Sequence, residues 1–122
     1  WSANTVGNLR CILDGHGEML RAAHALGVRL LVGTDAGSMG VEHGHAVADE
    51  MQRFVEAGLP VDAALRAATG APRAHFGDAH PRLAPGAPFE AVLLGADPAR
   101  DLQTLRRPVR VWPAPSLPEA AA

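Results

Sequence analysis

The predicted fold rests on the segment Val28-Arg29-Leu30-Leu31-Val32-Gly33-Thr34-Asp35. It is a short, nearly continuous apolar run that contains several β-branched residues, which is typical of a parallel strand covered on both faces. The run ends abruptly in a polar residue, Asp35. Because functional side chains of α/β proteins collect just beyond the carboxyl ends of the strands, we expect Asp35 to lie at a cleft.

Helical periodicity on both sides of this segment predicts the helices of an α/β unit. Apolar residues recur at helical spacing over 18–26, and Gly27 stands where a left-handed residue would end that helix. Residues 36–44 contain three glycines and no periodicity, which indicates a flexible loop. The pattern predicts further helices over residues 45–57, 60–68 and 71–76.

The two ends of the chain carry different patterns. Residues 1–17 contain three glycines and little periodicity, so we predict a loop there, with a short extended piece over 9–13. Beyond Gly77, prolines exclude a helix, and the pattern predicts strands over 89–94 and 109–112. The last ten residues hold three prolines and a run of alanines, so we expect them to be disordered.

Charge and composition exclude several classes of partner. The net charge is −2 and the sequence pI is about 6.3, so the chain offers no positive field to attract nucleic acid or an anionic membrane surface. No apolar run approaches the roughly 20 residues that a membrane span needs, and the start does not read as a signal peptide.

Cys11 is the only cysteine, which excludes an internal disulfide and a cysteine-based zinc site and makes the cytoplasm the default compartment. We interpret Cys11 as a small buried hydrophobe rather than as a catalytic thiol. The sequence begins with Trp1 rather than Met, which suggests a fragment.

Asp35 is the main candidate for a functional residue. A carboxylate at the end of a strand, in a glycine-flanked loop, would be fixed by the backbone yet open to a cleft, and this geometry suits a metal ligand or a general base. The alternative is that Asp35 caps the following turn through its own side chain, as Asp commonly does. The spacing alone does not decide between these two interpretations.

His43 and His45 form an H-x-H pair, which could bind zinc if both imidazoles lay on one face of a strand. They stand on a loop that enters a helix, so we interpret one or both as solvated or helix-capping residues. His43 is closer to the loop and could point at a substrate bound above Asp35. We interpret the other histidines as loop or helix-surface residues, namely His16, His24, His75 and His80.

Several ordered blocks of the chain resemble the end of amidohydrolase-superfamily enzymes. They are Val32-Gly33-Thr34-Asp35-Ala36-Gly37, Glu42-His43-Gly44-His45, Phe54-Val55-Glu56-Ala57-Gly58-Leu59 and Ala63-Ala64-Leu65-Arg66-Ala67-Ala68-Thr69. The closest branch looks like the imidazolonepropionase-related hydrolases, which include metal-dependent dipeptidase and cyclic-amide hydrolase relatives. The resemblance continues through Leu83-Ala84-Pro85-Gly86, Phe89-Glu90-Ala91-Val92-Leu93-Leu94 and Ala96-Asp97-Pro98. The chain departs from the family pattern at Ala87, Glu90 and Pro113.

The resemblance implies an α/β fold, the C-terminal segment of a (β/α)₈ TIM barrel followed by strands of a small β-sandwich domain. Residues 1–77 would be the last βα units of the barrel, residues 78–112 the return strands of the β-sandwich, and residues 113–122 a disordered tail. In that family the barrel holds one or two divalent metals, usually zinc, and Asp35 matches the Asp that ends the eighth strand.

The resemblance also implies an activity, the hydrolysis of C–N bonds in amide, cyclic amide or peptide-like small molecules. Asp35 would bind the metal and take a proton from the metal-bound water, so that hydroxide attacks the carbonyl or amidine carbon. It would then give its proton to the leaving nitrogen. The family's other metal ligands have no match here, and a lone carboxylate cannot hold zinc. We therefore expect activity only in the full-length protein.

Two other functions stay open on the sequence. One is a catalytically inactive α+β interaction module or pseudoenzyme remnant. The other is a different α/β enzyme that uses Asp35 as a phospho-acceptor or nucleophile, although no acidic partner at another strand end is found. The sequence also leaves homo-oligomerisation and the identity of the substrate undecided.

Overall fold

The computed structural model describes residues 2–77, 85 and 89–113. In chain order these residues form helices α1 (Ala3–Ala25), α2 (Ala46–Glu56), α3 (Val61–Ala68) and α4 (Gly70–His75), strand β1 (Ala91–Leu93), a 3₁₀ helix (Leu102–Arg106) and strand β2 (Arg110–Trp112). Strands β1 and β2 pair in an antiparallel two-stranded sheet, with Val92 opposite Val111.

Helix α1 begins at Ala3, so the loop predicted over 1–17 is wrong. Ser2 caps the helix, because its hydroxyl accepts a hydrogen bond of 3.2 Å from the amide of Thr5. Glycine in a helix costs about 0.5–1 kcal/mol relative to alanine but keeps its N–H donor, so glycines weaken this helix without ending it. Gly27, at φ 74°, follows the C-cap Leu26 as predicted.

The surface of α1 differs from the expectation for its cysteine. Cys11 is exposed, so the interpretation of this residue as a buried hydrophobe is wrong. No residue of α1 is buried, and the helix contacts the rest of the protein mainly through its C-terminal half. There, Leu20 packs against the hydrophobic core, and a Cβ atom on Gly17 would lie 3.8 Å from the Cβ of Ala57.

Helices α2, α3 and α4 lie where the apolar periodicity predicts them. Met51 and Phe54 bury one face of α2, and Ala64 and Ala67 bury one face of α3. Small side chains on α3 let the two helices approach closely, which favours dense packing. Pro60 stands at the N-cap of α3, where its missing N–H costs nothing.

The hydrophobic core lies between α2, α3 and the 3₁₀ helix. Because Leu102 is buried there, the 3₁₀ helix packs on helices that are far away in sequence. Burial of apolar surface stabilises the fold by about 25 cal/mol per Å². The buried members of the core are Met51, Phe54, Ala57, Leu59, Ala64, Ala67 and Leu102.

The parallel strand predicted over 28–35 is not formed. The amide of Val32 donates a hydrogen bond of 2.9 Å to the carbonyl of Ala67, and Leu30 and Val32 pack against the core. The apolar side chains therefore pack against helices rather than against neighbouring strands. A strand needs a neighbouring strand for its N–H and C=O groups, and none of the described residues supplies one to this segment.

The predicted fold class, a TIM-barrel segment followed by β-sandwich strands, is therefore wrong. The described residues form helices and a single antiparallel two-stranded sheet, with neither a parallel sheet nor two packed sheets. Strands β1 and β2 fall within the predicted ranges, so their positions are confirmed. Residues 78–84, 86–88 and 114–122 lie outside the described residues, and with them the predicted domain boundary at 77/78 and almost all of the predicted disordered tail.

The longest helix that the structure describes, α1, carries charged residues along its length. None of the helices in the described ranges combines the length and the apolar character that crossing a membrane requires.

Candidate functional site

Asp35 lies on the surface, at the end of the segment that follows α1. Its backbone φ is 48°, in the left-handed region that Asp adopts more readily than most residues. Its carbonyl accepts a hydrogen bond of 3.2 Å from the amide of Ser38, which closes a β-turn over 35–38. Gly37, the third residue of this turn, has φ 100°, the positive value that a type II turn needs there.

The carboxylate of Asp35 is attached to the same turn. The Ser38 hydroxyl donates a hydrogen bond of 2.7 Å to Oδ2. Within the described part of the chain, Ser38 is the one donor to this carboxylate, so Oδ1 is available to water or to a ligand. The side chain takes part in the turn, as the capping interpretation expects, but through a hydroxyl rather than a backbone amide.

His43 lies against this turn. A Cβ atom on Gly37 would stand 3.0 Å from Nε2 and 3.5 Å from Cε1 of His43, so the imidazole packs directly on the glycine. The amide of Gly37 donates to the carbonyl of Val41, and the amide of Val41 donates to the carbonyl of Ser38, each at 3.0 Å. Residues 35–43, which we call the Asp35 loop, thus fold on themselves and place the two predicted site residues in one exposed unit.

His45 has a different position from His43. It stands at the N-cap of α2, and its carbonyl accepts hydrogen bonds from the amides of Ala48 and Asp49 at 3.0 and 3.2 Å. Its side chain is exposed and makes no capping hydrogen bond, which agrees with the solvated alternative of the prediction and not with the helix-capping one.

No group of three or more His, Cys, Asp or Glu side chains in the described residues could hold a metal ion. Zinc needs three or four ligands, so Asp35 and the side chains around it do not fit a complete zinc site. His24 and His75 lie exposed on α1 and α4, as predicted, whereas His16 lies exposed on α1 rather than in the predicted loop. His80 is outside the described residues.

A groove of about 1360 Å³ lies between helices α3 and α4 on one side and the β1–β2 sheet on the other. Its walls are mainly apolar and include Leu65, Val92 and Trp112, and an ion pair between Arg73 and Glu90 lies beside them. Neither candidate site residue lines this groove. The sequence did not reveal it, because its two walls lie in separate parts of the chain and meet only through the tertiary fold.

Comparisons of the sequence with known protein families, with curated proteins and with solved structures gave no match. The resemblance to amidohydrolases therefore rests on the sequence blocks alone and stays a prediction.

Proposed function

We propose that this chain is part of a hydrolase of C–N bonds in which Asp35 accepts the proton of the attacking water and returns it to the leaving nitrogen. The observation that supports this role is the carboxylate itself, which is exposed, held by Ser38 through one oxygen and available through the other. A carboxylate with these properties can accept a proton from an attacking water and return it to the leaving nitrogen. The substrate class is small amides, cyclic amides or peptides.

His43 is proposed to bind the substrate. Its imidazole is exposed and packs on Gly37, two residues after Asp35, in the same loop as the carboxylate. A neutral imidazole has one donor and one acceptor nitrogen and can therefore hydrogen-bond to an amide group.

The resemblance implies one or two divalent metals, most often zinc, with Asp35 as one ligand. The described residues do not supply the rest of such a site, so any further ligands must come from outside them. We therefore expect hydrolysis only from the full-length protein.

The same proposal includes a cytoplasmic location and a small-molecule partner. A net charge of −2 gives no attraction to nucleic acid or to an anionic membrane. The single cysteine is exposed and free, which suits a reducing compartment.

The proposal is tested with Asp35→Asn in the full-length protein, assayed on a panel of acyl anilides, cyclic amides and dipeptides. Asparagine keeps the shape and an acceptor for Ser38 but cannot carry the proton, so we expect turnover to fall by about 10²–10⁴-fold. Asp14→Asn, an exposed carboxylate change on α1, is the matched control and should retain wild-type turnover. Near-normal hydrolysis by Asp35→Asn, with the fold intact by circular dichroism, would defeat the assignment.

A second experiment uses residues 1–122 alone and isothermal calorimetry with zinc. We expect binding no tighter than that of a generic surface histidine, because one carboxylate does not offset the dehydration of the ion. Submicromolar binding that is lost in Asp35→Ala would contradict the ligand count.

The alternative function is an α+β interaction module without catalysis, and α1 supplies the observation that favours it. This helix buries no residue, and it exposes large apolar side chains of the kind that mark contact surfaces. They are Val6, Leu9, Ile12, Leu13 and Met19. The interaction module would be favoured by two results together. The wild-type protein would hydrolyse none of the panel, and Leu9→Glu would change the oligomeric state that sedimentation measures.

A further inference from the structure

We infer that Ser38 is a positioning residue that holds the Asp35 carboxylate through Oδ2 and leaves Oδ1 as the oxygen that accepts and returns the proton. The inference rests on the proposed function, in which Asp35 carries the proton.

Two hydrogen bonds join the same pair of residues. The backbone amide of Ser38 donates to the Asp35 carbonyl at 3.2 Å, and the Ser38 hydroxyl donates to Oδ2 at 2.7 Å. This distance is ordinary for a well-formed O–H···O hydrogen bond. The turn therefore presents its hydroxyl to the carboxylate without help from any distant part of the chain.

The rest of the loop supports this arrangement. Gly37 has a positive φ, and its missing Cβ leaves the space in which the His43 imidazole packs. Val41 accepts from the amide of Gly37 and donates to the carbonyl of Ser38, which fixes the far side of the turn. The backbone of Ser38 is thus held by contacts within the same loop in which His43 packs on Gly37.

The physical effect of Ser38 is to select one orientation of an exposed side chain. An exposed aspartate normally samples several side-chain rotamers and presents either oxygen to its surroundings. A hydrogen bond to Oδ2 removes this freedom and gives Oδ1 a fixed direction. A misplacement of about 1 Å in a reacting group can cost about 10²-fold in rate, so this orientation matters for a proton carrier.

The first test measures the side-chain rotamers of Asp35 by three-bond NMR couplings in the 122-residue chain. We expect one dominant χ1 rotamer in the wild type, averaging among rotamers in Ser38→Ala, and a single rotamer again in Ser38→Thr, which keeps the hydroxyl. Thr34→Val is the matched control, because the Thr34 hydroxyl accepts from the amide of Ala36 at 3.3 Å and does not bond to the carboxylate. Unchanged Asp35 couplings in Ser38→Ala would overturn the inference.

The second test measures kinetics in the full-length protein. We expect Ser38→Ala to lower kcat about tenfold with KM nearly unchanged, and Ser38→Thr to restore kcat, because the change acts on orientation rather than on substrate binding. A higher KM with normal kcat would also overturn the inference. If no variant and no wild-type protein hydrolyses the panel while Ser38→Ala still frees the side chain, the proposed function fails and the hold of Ser38 on Asp35 stands.

Discussion

The side chain of Arg106 forms an ion pair with Asp49 across 57 residues of sequence and so joins the 3₁₀ helix to α2. The Arg106 side chain is 33% exposed, and its Nε is buried without a hydrogen-bond partner in the described residues. Asp49 is therefore the group that offsets the partial burial of this guanidinium. Arg106 is the last residue of the 3₁₀ helix, and Leu102, its first residue, is buried in the core.

Removing Asp49 should destabilise the protein more than removing an ordinary surface carboxylate. Asp49→Ala leaves a partly buried cation without its partner, so we expect a loss of about 1 kcal/mol in the free energy of unfolding. Glu56→Ala is the matched control, because its partner Arg53 is 72% exposed, against 33% for Arg106. Urea unfolding measures the stability of both variants. Equal losses would show that the Asp49–Arg106 pair contributes no more to the free energy of unfolding than the exposed pair.

The packing of the 3₁₀ helix on the helical core gives a second prediction. Leu102 is 4% exposed, so Leu102→Ala should leave a cavity and lower the free energy of unfolding by about 3 kcal/mol. Leu13→Ala is the same substitution at a residue that is 65% exposed on α1, and we expect it to change stability little. Comparable effects of the two variants would mean that the C-terminal part does not pack on α2 and α3.

The helices could be predicted because their signals are local. The apolar face of α2, the glycine after it and Pro60 before α3 lie within a few residues of the elements that they define. The fate of residues 28–35 could not be predicted in this way. An apolar run indicates that side chains are buried, but not which group takes the backbone hydrogen bonds, and here the carbonyl of Ala67 accepts from Val32.

The surroundings of Asp35 were predictable only in part. The sequence predicted this carboxylate at the tip of a buried strand and open to a cleft, but the strand is not formed and Asp35 does not line the described groove. Asp35 is exposed in a glycine-containing loop, in which the His43 imidazole packs on Gly37. The role of Ser38 was not predicted, because its bond to the carboxylate depends on a turn with positive φ at Asp35 and at Gly37. These dihedral angles belong to the folded loop and leave little signal in residue types other than glycine.

The first half of α1 gives a prediction that separates helix from loop. A Cβ atom added to Gly7 meets nothing within 4 Å, so Gly7→Ala should stabilise the helix by about 0.5–1 kcal/mol. We expect more helix by circular dichroism at 222 nm and a higher urea midpoint. If residues 1–17 instead formed the loop that the sequence pattern predicted, the same change would leave the helical signal unaltered. That result would show that the N-terminal turns of α1 are not formed.

The pH dependence of stability should carry a contribution from Glu50. Burial raises the pKa of Glu50 above its ordinary value of 4.5, and the nearby Arg53 lowers it by a smaller amount. The folded state thus binds this proton more tightly than the unfolded state. The contribution of Glu50 to stability is therefore fully present below pH 4.5 and is lost as the pH rises through the higher folded pKa.

Replacing Glu50 with Gln removes a carboxylate that is unfavourable when it is ionised. We expect Glu50→Gln to raise the free energy of unfolding relative to the wild type at neutral pH, and this advantage should shrink as the pH falls through the raised folded pKa of Glu50 toward 4.5. Urea unfolding at several pH values measures the difference, and Glu18→Gln on the exposed surface of α1 is the matched control. An advantage that grows on acidification would have the opposite sign to the one that burial dictates and would show that Glu50 is stabilised in its charged form.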